Sequence, residues 1–178
     1  METSASSEAR YAPWSYPTSS DRPPLQQRVL DVMSPQAQAG YFSQRMLQPS
    51  TRYLKKEMEL ERAFVKAGGL LLAGPDATGI GGVVAGFGDQ REVGLLVEAG
   101  FTPAEAIHIA TWNGAQYLGE AEHIGTLTPG KQADLVVTHG DPSSNISDVE
   151  RVEMVFKDGI GYDSAKLVES VRGMVGLR

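Results

Sequence analysis

From Tyr53 onward, apolar positions recur three and four residues apart, a period that predicts an amphipathic helix. Leu54 and Met58, then Leu60 and Phe64, form i,i+4 apolar pairs, and charges fill the other face. Lys66, a cation favourable at a C-terminus, and Gly68-Gly69 set the end of that helix near residue 66. The run Leu70-Leu71-Leu72-Ala73 is brief, bounded by glycines and stopped at Gly74-Pro75-Asp76, which predicts a buried strand. A Gly-rich loop covers residues 77–88. Asp89 and Glu92 then form a capping-box pattern ahead of a helix whose buried stripe is Val93, Leu96 and Val97, ended by Gly100. Thr102-Pro103-Ala104-Glu105 is a second start signal, with Thr as cap, Pro first and Glu third. Its helix should run to Leu118 and stop at Gly119.

Beyond residue 122 the pattern shortens into strand pieces. Gly125-Thr126-Leu127, a turn at Thr128-Pro129-Gly130, Leu135-Val136-Val137 and Val152 to Lys157 predict a small sheet, with a turn at Lys157-Asp158-Gly159. Asp163 should cap a final helix through about Arg172. Upstream, residues 1–24 are rich in Ser, Thr and Pro, although Tyr11, Trp14 and Tyr16 could pin this arm onto a neighbouring surface. Residues 25–49 are helical in pieces, broken at Pro35 and Pro49. No internal repeat is present. The chain therefore divides into an irregular arm with a variable segment (1–52), a strand with flanking helices (53–122), a small-sheet portion (123–162) and a C-terminal helix (163–178). This is a mixed α/β pattern.

Composition narrows the function classes. The 178 residues suffice for one domain with a real core, and the hydrophobic share of 41% argues against disorder over most of the chain. A net charge of −6 without a dense Lys/Arg patch speaks against nucleic-acid binding, which rests on clustered cations. With no cysteine, disulfides, thiolate metal sites and cysteine nucleophiles are excluded. The N-terminus has no apolar core of a secretory signal, and no run approaches the roughly 20 residues of a membrane helix. A soluble, cytoplasmic protein without membrane partners is expected.

Asp76 is the leading candidate for chemistry. A carboxylate just past a buried strand, in a Gly/Pro turn, sits where parallel α/β folds place ligand and catalytic groups. It could bind a metal or act as general base, or it could simply cap its own turn through backbone N–H groups. The Gly-rich loop is not a phosphate cradle. After Gly79 and Gly81 the third fingerprint position is Val84, and no Gly-Lys-Ser/Thr follows. A flexible loop over a site, with Gly79, Gly81, Gly82 and Phe87 facing substrate, is one reading; irregular packing is the other. His108, His123 and His139 form no close ligand pair and read as structural or solvated. Lys131 should pair with a carboxylate or stay solvated at a strand entry. Asp141-Pro142-Ser143-Ser144 reads as turn chemistry.

Together these phrases resemble one family. Leu71-Leu72-Ala73-Gly74-Pro75-Asp76 is similar to the segment that ends the last barrel strand of metal-dependent amidohydrolases. Arg91-Glu92 with Leu95 to Ala106 resembles the helix pair that follows in that family. Thr111, Asn113, Ala115, Leu118 and Gly119 fit its T-x-N-x-A-x-x-L-G pattern. Gly125-Thr126-Leu127, Pro129-Gly130-Lys131 and Ala133 to Val137 fit its G-x-I-x-x-G-K-x-A-D-L-V-V segment. Gly140-Asp141-Pro142 and Val155-Phe156-Lys157-Asp158-Gly159 complete the set. Imidazolonepropionase-like and Xaa-Pro-dipeptidase-like members are the most similar.

The resemblance implies an α/β fold: the C-terminal segment of a (β/α)8 hydrolase barrel plus part of a small β-sandwich. It implies hydrolysis of an amide-type C–N bond of a small-molecule substrate in the intact enzyme. The cofactor implied is a divalent metal, zinc in the first place. Family sites draw on an H-x-H, a carboxylated Lys, two further His and the last-strand Asp, which is both ligand and proton acceptor. Only Asp76 carries over, because this sequence supplies no H-x-H. Pro75 also replaces the family's usual Thr, removing a hydroxyl and an N–H beside the ligand. A whole barrel takes at least about 200 residues. The expectation is an incomplete, inactive piece that binds no metal alone. The alternative is a non-catalytic remnant or docking subunit that self-associates or joins a complementing N-terminal barrel piece.

Overall fold

The computed structural model of the chain describes residues 23–44, 51–75 and 86–174. Tyr11, Trp14, Tyr16, Asp76, Gly79, Gly81 and Gly82 lie outside them, as does the side chain of Leu54. Helices α1 (Pro23–Val32) and α2 (Pro35–Gln44) each open on proline, whose fixed φ suits a first helical position. Helices α3 (Thr51–Lys66) and α4 (Phe87–Glu98) follow. Next, α5 (Pro103–His108), a π-helical segment (Ile109–Asn113) and α6 (Gly114–Tyr117) run on without a break. Strands β1 (Leu135–Thr138), β2 (Val152–Lys157) and β3 (Ile160–Asp163) form an antiparallel sheet in sequence order, with a 3-10 turn at Ile146–Glu150 between the first two. Helix α7 (Ser164–Ser170) closes the described chain and lies against β2 and β3. Helices and one small sheet make this an α/β fold.

Local chemistry accounts for several boundaries. The Thr102 hydroxyl accepts from the Glu105 N–H at 3.2 Å, and the Glu105 carboxylate accepts from the Thr102 N–H at 2.7 Å. That reciprocal pair starts α5 as its sequence predicts. Asp163 caps α7 through the Lys166 N–H at 3.0 Å, but that helix ends at Ser170, with a turn over 171–174. Helix α4 begins two residues before the expected cap. Gly86, at φ 80°, makes the turn, and Asp89 is the third helical residue, its carboxylate accepting from the Gly86 N–H at 2.9 Å.

The main core joins Leu71, Leu96, Ala99, Phe101, Ala106 and Ile109, with Met58, Phe64 and Val65 of α3 packed onto it. A second cluster unites Val29 and Met33 with Leu30, Ala37 and Phe87. Two expectations are corrected in this packing. Leu60 points to solvent, while Glu61 is buried. Successive helical residues turn by about 100°, so the stripe defined by Met58, Phe64 and Val65 is centred on Glu61 rather than on Leu60. Second, Leu70–Ala73 is not a continuous strand: within this run Leu72 alone makes an isolated bridge, and Leu70 is exposed. Leu71 alone goes fully into the core.

The sheet is held by regular pairing, from Leu135 opposite Phe156 to Lys157 opposite Ile160. Its register slips between Val137 and Thr138, where β1 turns away. Residues 125–127 are not part of it. Gly125, at φ 88°, bends the chain where a Cβ would stand 2.6 Å from the Ala115 methyl, so this stretch packs on the helix instead of pairing.

Candidate functional site

The segment that leads to Asp76 is fixed from both sides. Gly68, at φ 88°, turns the chain out of α3, and Gly69 lies so close under the Phe64 ring that a Cβ would overlap it. Leu71 is then 2% exposed. Its carbonyl accepts a hydrogen bond of 2.8 Å from the side-chain amide of Asn113. Asn113 closes the π-helical segment, whose wider turn re-aims the residues at its end; such segments recur at functional positions. Thr111 returns its hydroxyl to the Ile107 carbonyl at 2.7 Å within the same turn.

Asp76, Gly79, Gly81 and Gly82 follow outside the described residues. The chain is described again from Gly86. Phe87 is half-buried at the start of α4 and packs with Val29 and Met33. The Arg28 guanidinium stands 5.6 Å from its ring centroid, within cation–π range. The exit of the loop thus rests on α1, and its entry on the Leu71–Asn113 bond.

The histidines are not brought together. His108, His123 and His139 are each exposed, and His108 lies beside Trp112 with ring centroids 6.4 Å apart. Among the described residues no three His, Asp or Glu side chains are placed to hold a metal. Lys131 departs from its expected carboxylate pair. Its ammonium donates to the carbonyls of Ala121 (2.5 Å) and Ile124 (3.1 Å) and stands 4.9 Å from the Trp112 ring centroid. The turn after α6 leaves carbonyls pointing inward, and a cation over an indole face satisfies them. Asp141 behaves as the turn reading expects: its carboxylate accepts from the hydroxyls of Ser143 (2.6 Å) and Ser144 (2.7 Å).

Two features escaped the sequence. Asn113 stood in a recognised pattern without a role, although a side-chain amide among apolar helix positions is itself a signal. Glu61 of α3 and Glu92 of α4 are both buried. Burial first, then the charges of Glu92 and Glu57, push the Glu61 carboxyl up to about 7. Among the described residues no helix is long and apolar enough to cross a membrane.

The amidohydrolase family model matches residues 29–160, well over half of the chain. Adenine deaminase 1 of Carboxydothermus hydrogenoformans is 40% identical over 80 residues, which are 44% of this chain and 12% of that protein. The imidazolonepropionase of Geobacillus kaustophilus is 55% identical over 38 residues, 21% of this chain and 9% of that one. A Xaa-Pro dipeptidase crystallised with methionine in its active site superposes with a TM-score of 0.55 at 28% identity, over 74% of this chain and 34% of the dipeptidase. The match therefore spans about a tenth of these curated relatives and a third of that structure.

Proposed function

The chain belongs to the amidohydrolase family, and on that footing we propose that it contributes the Asp76 rim of an enzyme hydrolysing amide-type C–N bonds in small molecules. Residues 53–122 would be the last unit of a (β/α)8 barrel, 123–162 part of a small β-sandwich, 1–52 a variable lead-in and 163–178 a terminal helix. The observation that carries the reading is the Asn113 amide on the Leu71 carbonyl at 2.8 Å, which anchors the chain five residues before Asp76. From there the Asp76 carboxylate accepts a proton from the water attacking the substrate carbonyl carbon, and that proton is available to the departing nitrogen. Gly79, Gly81 and Gly82 would face the substrate in this reading, and Phe87 packs with Val29 and Met33 at the start of α4.

A divalent metal, zinc first, belongs to the intact enzyme, with Asp76 as one ligand. The described residues do not fit it, since catalytic zinc takes three protein ligands and no such group is assembled among them. Exposed Leu118, Leu127, Val136 and Ile160 favour a second reading, a docking piece that associates with another barrel portion.

One experiment separates the readings. The full chain is co-expressed with a barrel piece of a dipeptidase-like relative that carries H-x-H, then assayed on dipeptides and cyclic amides with zinc. Hydrolysis that appears only together and is lost in Asp76→Ala supports catalysis; a stable inactive pair supports docking. Zinc content after dialysis calibrates the chain alone. Near zero in wild type and Asp76→Ala is expected, and about one metal per chain, lost in the variant, overturns the single-ligand reading.

A further inference from the structure

The three-stranded sheet is apolar on both faces. Leu135 pairs with Phe156 and Val137 with Met154, and these four share one face, where Met154 and Phe156 close around Gly161. Val136, Val155 and Tyr162 stand opposite one another on the other face, with Ile160 two residues before Tyr162. There Val136 is 56% exposed, Ile160 60% and Tyr162 41%. A sheet with one face in water alternates apolar with polar positions; apolar side chains on both faces mark a sheet that is covered twice.

The segment ahead of α1 can supply the second cover. Helix α1 lies beside the sheet: Arg28 donates to the Glu150 carbonyl at 3.3 Å, two residues before β2, and the charge of Asp31 acts on Arg172 just past α7. Tyr16 precedes Arg28 by twelve positions. With helix from Pro23 onward and extended chain before it, Tyr16 can stand up to about 30 Å from Arg28. Val155, five residues past Glu150, is only about 17 Å along the strand. The composition suits an apolar face. Residues 11–20 carry no charged side chain, and three of the six residues 11–16 are aromatic, against 7% of the whole chain. Pro13 and Pro17 favour the polyproline II conformation, whose three-residue turn sets Tyr11, Trp14 and Pro17 in one row. Arg10, next to Tyr11, is opposite in sign to Glu153, which is exposed on the same face of β2 as Val155.

We propose that the Tyr11–Pro17 segment docks on the Val136–Val155–Tyr162 face of its own chain, with Trp14 as the anchor. An indole on β-branched side chains removes a large apolar area from water and can keep its N–H at the rim. A proline-stiffened segment loses little freedom on docking, as in other grooves that take polyproline II ligands. Val136 and Ile160 are then shielded in the free chain, and a second barrel portion that uses them must first displace the arm. That consequence rests on the docking reading above; the seating of the arm itself does not.

The test is fluorine-19 NMR of the full chain labelled with 5-fluorotryptophan, the Trp14 resonance being assigned from Trp14→Phe. In dilute wild type, the Trp14 shift between H2O and D2O should be less than about half that of the urea-unfolded chain, since a docked indole is largely dry. Val136→Thr combined with Ile160→Thr keeps both side chains β-branched, so the strands persist while the face turns polar. Docking should then weaken roughly tenfold or more, and the Trp14 shift should rise toward its unfolded value. A wild-type Trp14 shift equal to that of the unfolded chain would overturn the docking. So would protection that the double variant leaves unchanged, because the arm then rests elsewhere. Protection that appears only on concentration overturns it too, because the face covered is then that of a second copy. If the double variant does not fold, nuclear Overhauser contacts in wild type decide the matter. Contacts from the Trp14 ring to the Val136 or Ile160 methyls support the seat, and their absence removes it. No arm of the test depends on Asp76 or on hydrolysis.

Discussion

The side-chain amide of Asn113 donates to the main-chain carbonyl of Leu71 at 2.8 Å, across 42 residues of sequence. The bond stitches the end of the π-helical segment to the stretch that leads into Asp76. A buried backbone carbonyl deprived of its donor costs about 1–3 kcal/mol. Asn113→Ala should therefore destabilise the chain by about that amount, read from the urea midpoint. Asn113→Asp should be no better at neutral pH, because a carboxylate has no proton to donate. A midpoint unchanged in both would show the bond to be idle.

Lys131 tests a different kind of long-range tie. Its ammonium gathers the Ala121 and Ile124 carbonyls under the Trp112 ring. Lys131→Met keeps the aliphatic length and removes the charge, so two carbonyls lose a charge-assisted donor and the indole loses its cation. A loss of about 2 kcal/mol is expected, with a shift in Trp112 fluorescence. Lys131→Arg should recover only part of it, since the planar fork does not fit between two carbonyls as a compact ammonium does. Full recovery by arginine would contradict that geometry.

What the sequence made legible was what neighbouring residues decide among themselves. Thr102 and Glu105 are three apart, and the box they form depends on nothing else. Asp141 with Ser143 and Ser144 is equally local. Leu70–Ala73 failed as a strand because a strand needs neighbours, and within this run a bridge forms only at Leu72. Glu61 failed because the charged residue sits in mid-stripe, which a pairwise apolar pattern places on the wet face. The Lys131 partners are main-chain carbonyls, invisible in any side-chain pattern.

Acid should weaken the fold through carboxyls that the folded chain holds below their ordinary range. The Thr102 N–H and hydroxyl hold the Glu105 carboxyl below its ordinary range; the Asp158 N–H, then Lys157 at 2.5 Å, do so for Asp134. The hydroxyl of Ser143, then that of Ser144, acts likewise on Asp141. Each folded carboxyl ionises more readily than its unfolded counterpart. Its contribution is therefore present above the usual carboxylate range and lost as pH falls below about 4. The melting temperature should drop steeply between pH 4.5 and 2.5, and less steeply in Asp134→Asn. Parallel acid limbs would remove Asp134 from that account.

Gly140 explains why glycine precedes Asp141-Pro142, and Asp148 is the reason. Gly140 stands at φ 114°, and a Cβ there would run into the Asp148 carboxylate. That carboxylate is 8% exposed, accepts from the Asp141 N–H at 2.9 Å and pairs with Arg151 at 3.2 Å. Gly140→Ala therefore meets two penalties together, left-handed backbone strain and displacement of a buried, hydrogen-bonded carboxylate. Strain at such a position alone is of order 1–3 kcal/mol. Asp148→Ala makes room for the methyl but leaves the Asp141 N–H without its acceptor. In the double variant, Gly140→Ala should then cost about its strain alone, less than it costs with Asp148 in place. Costs that simply add would mean that the glycine answers to backbone geometry only, and that the carboxylate is a bystander.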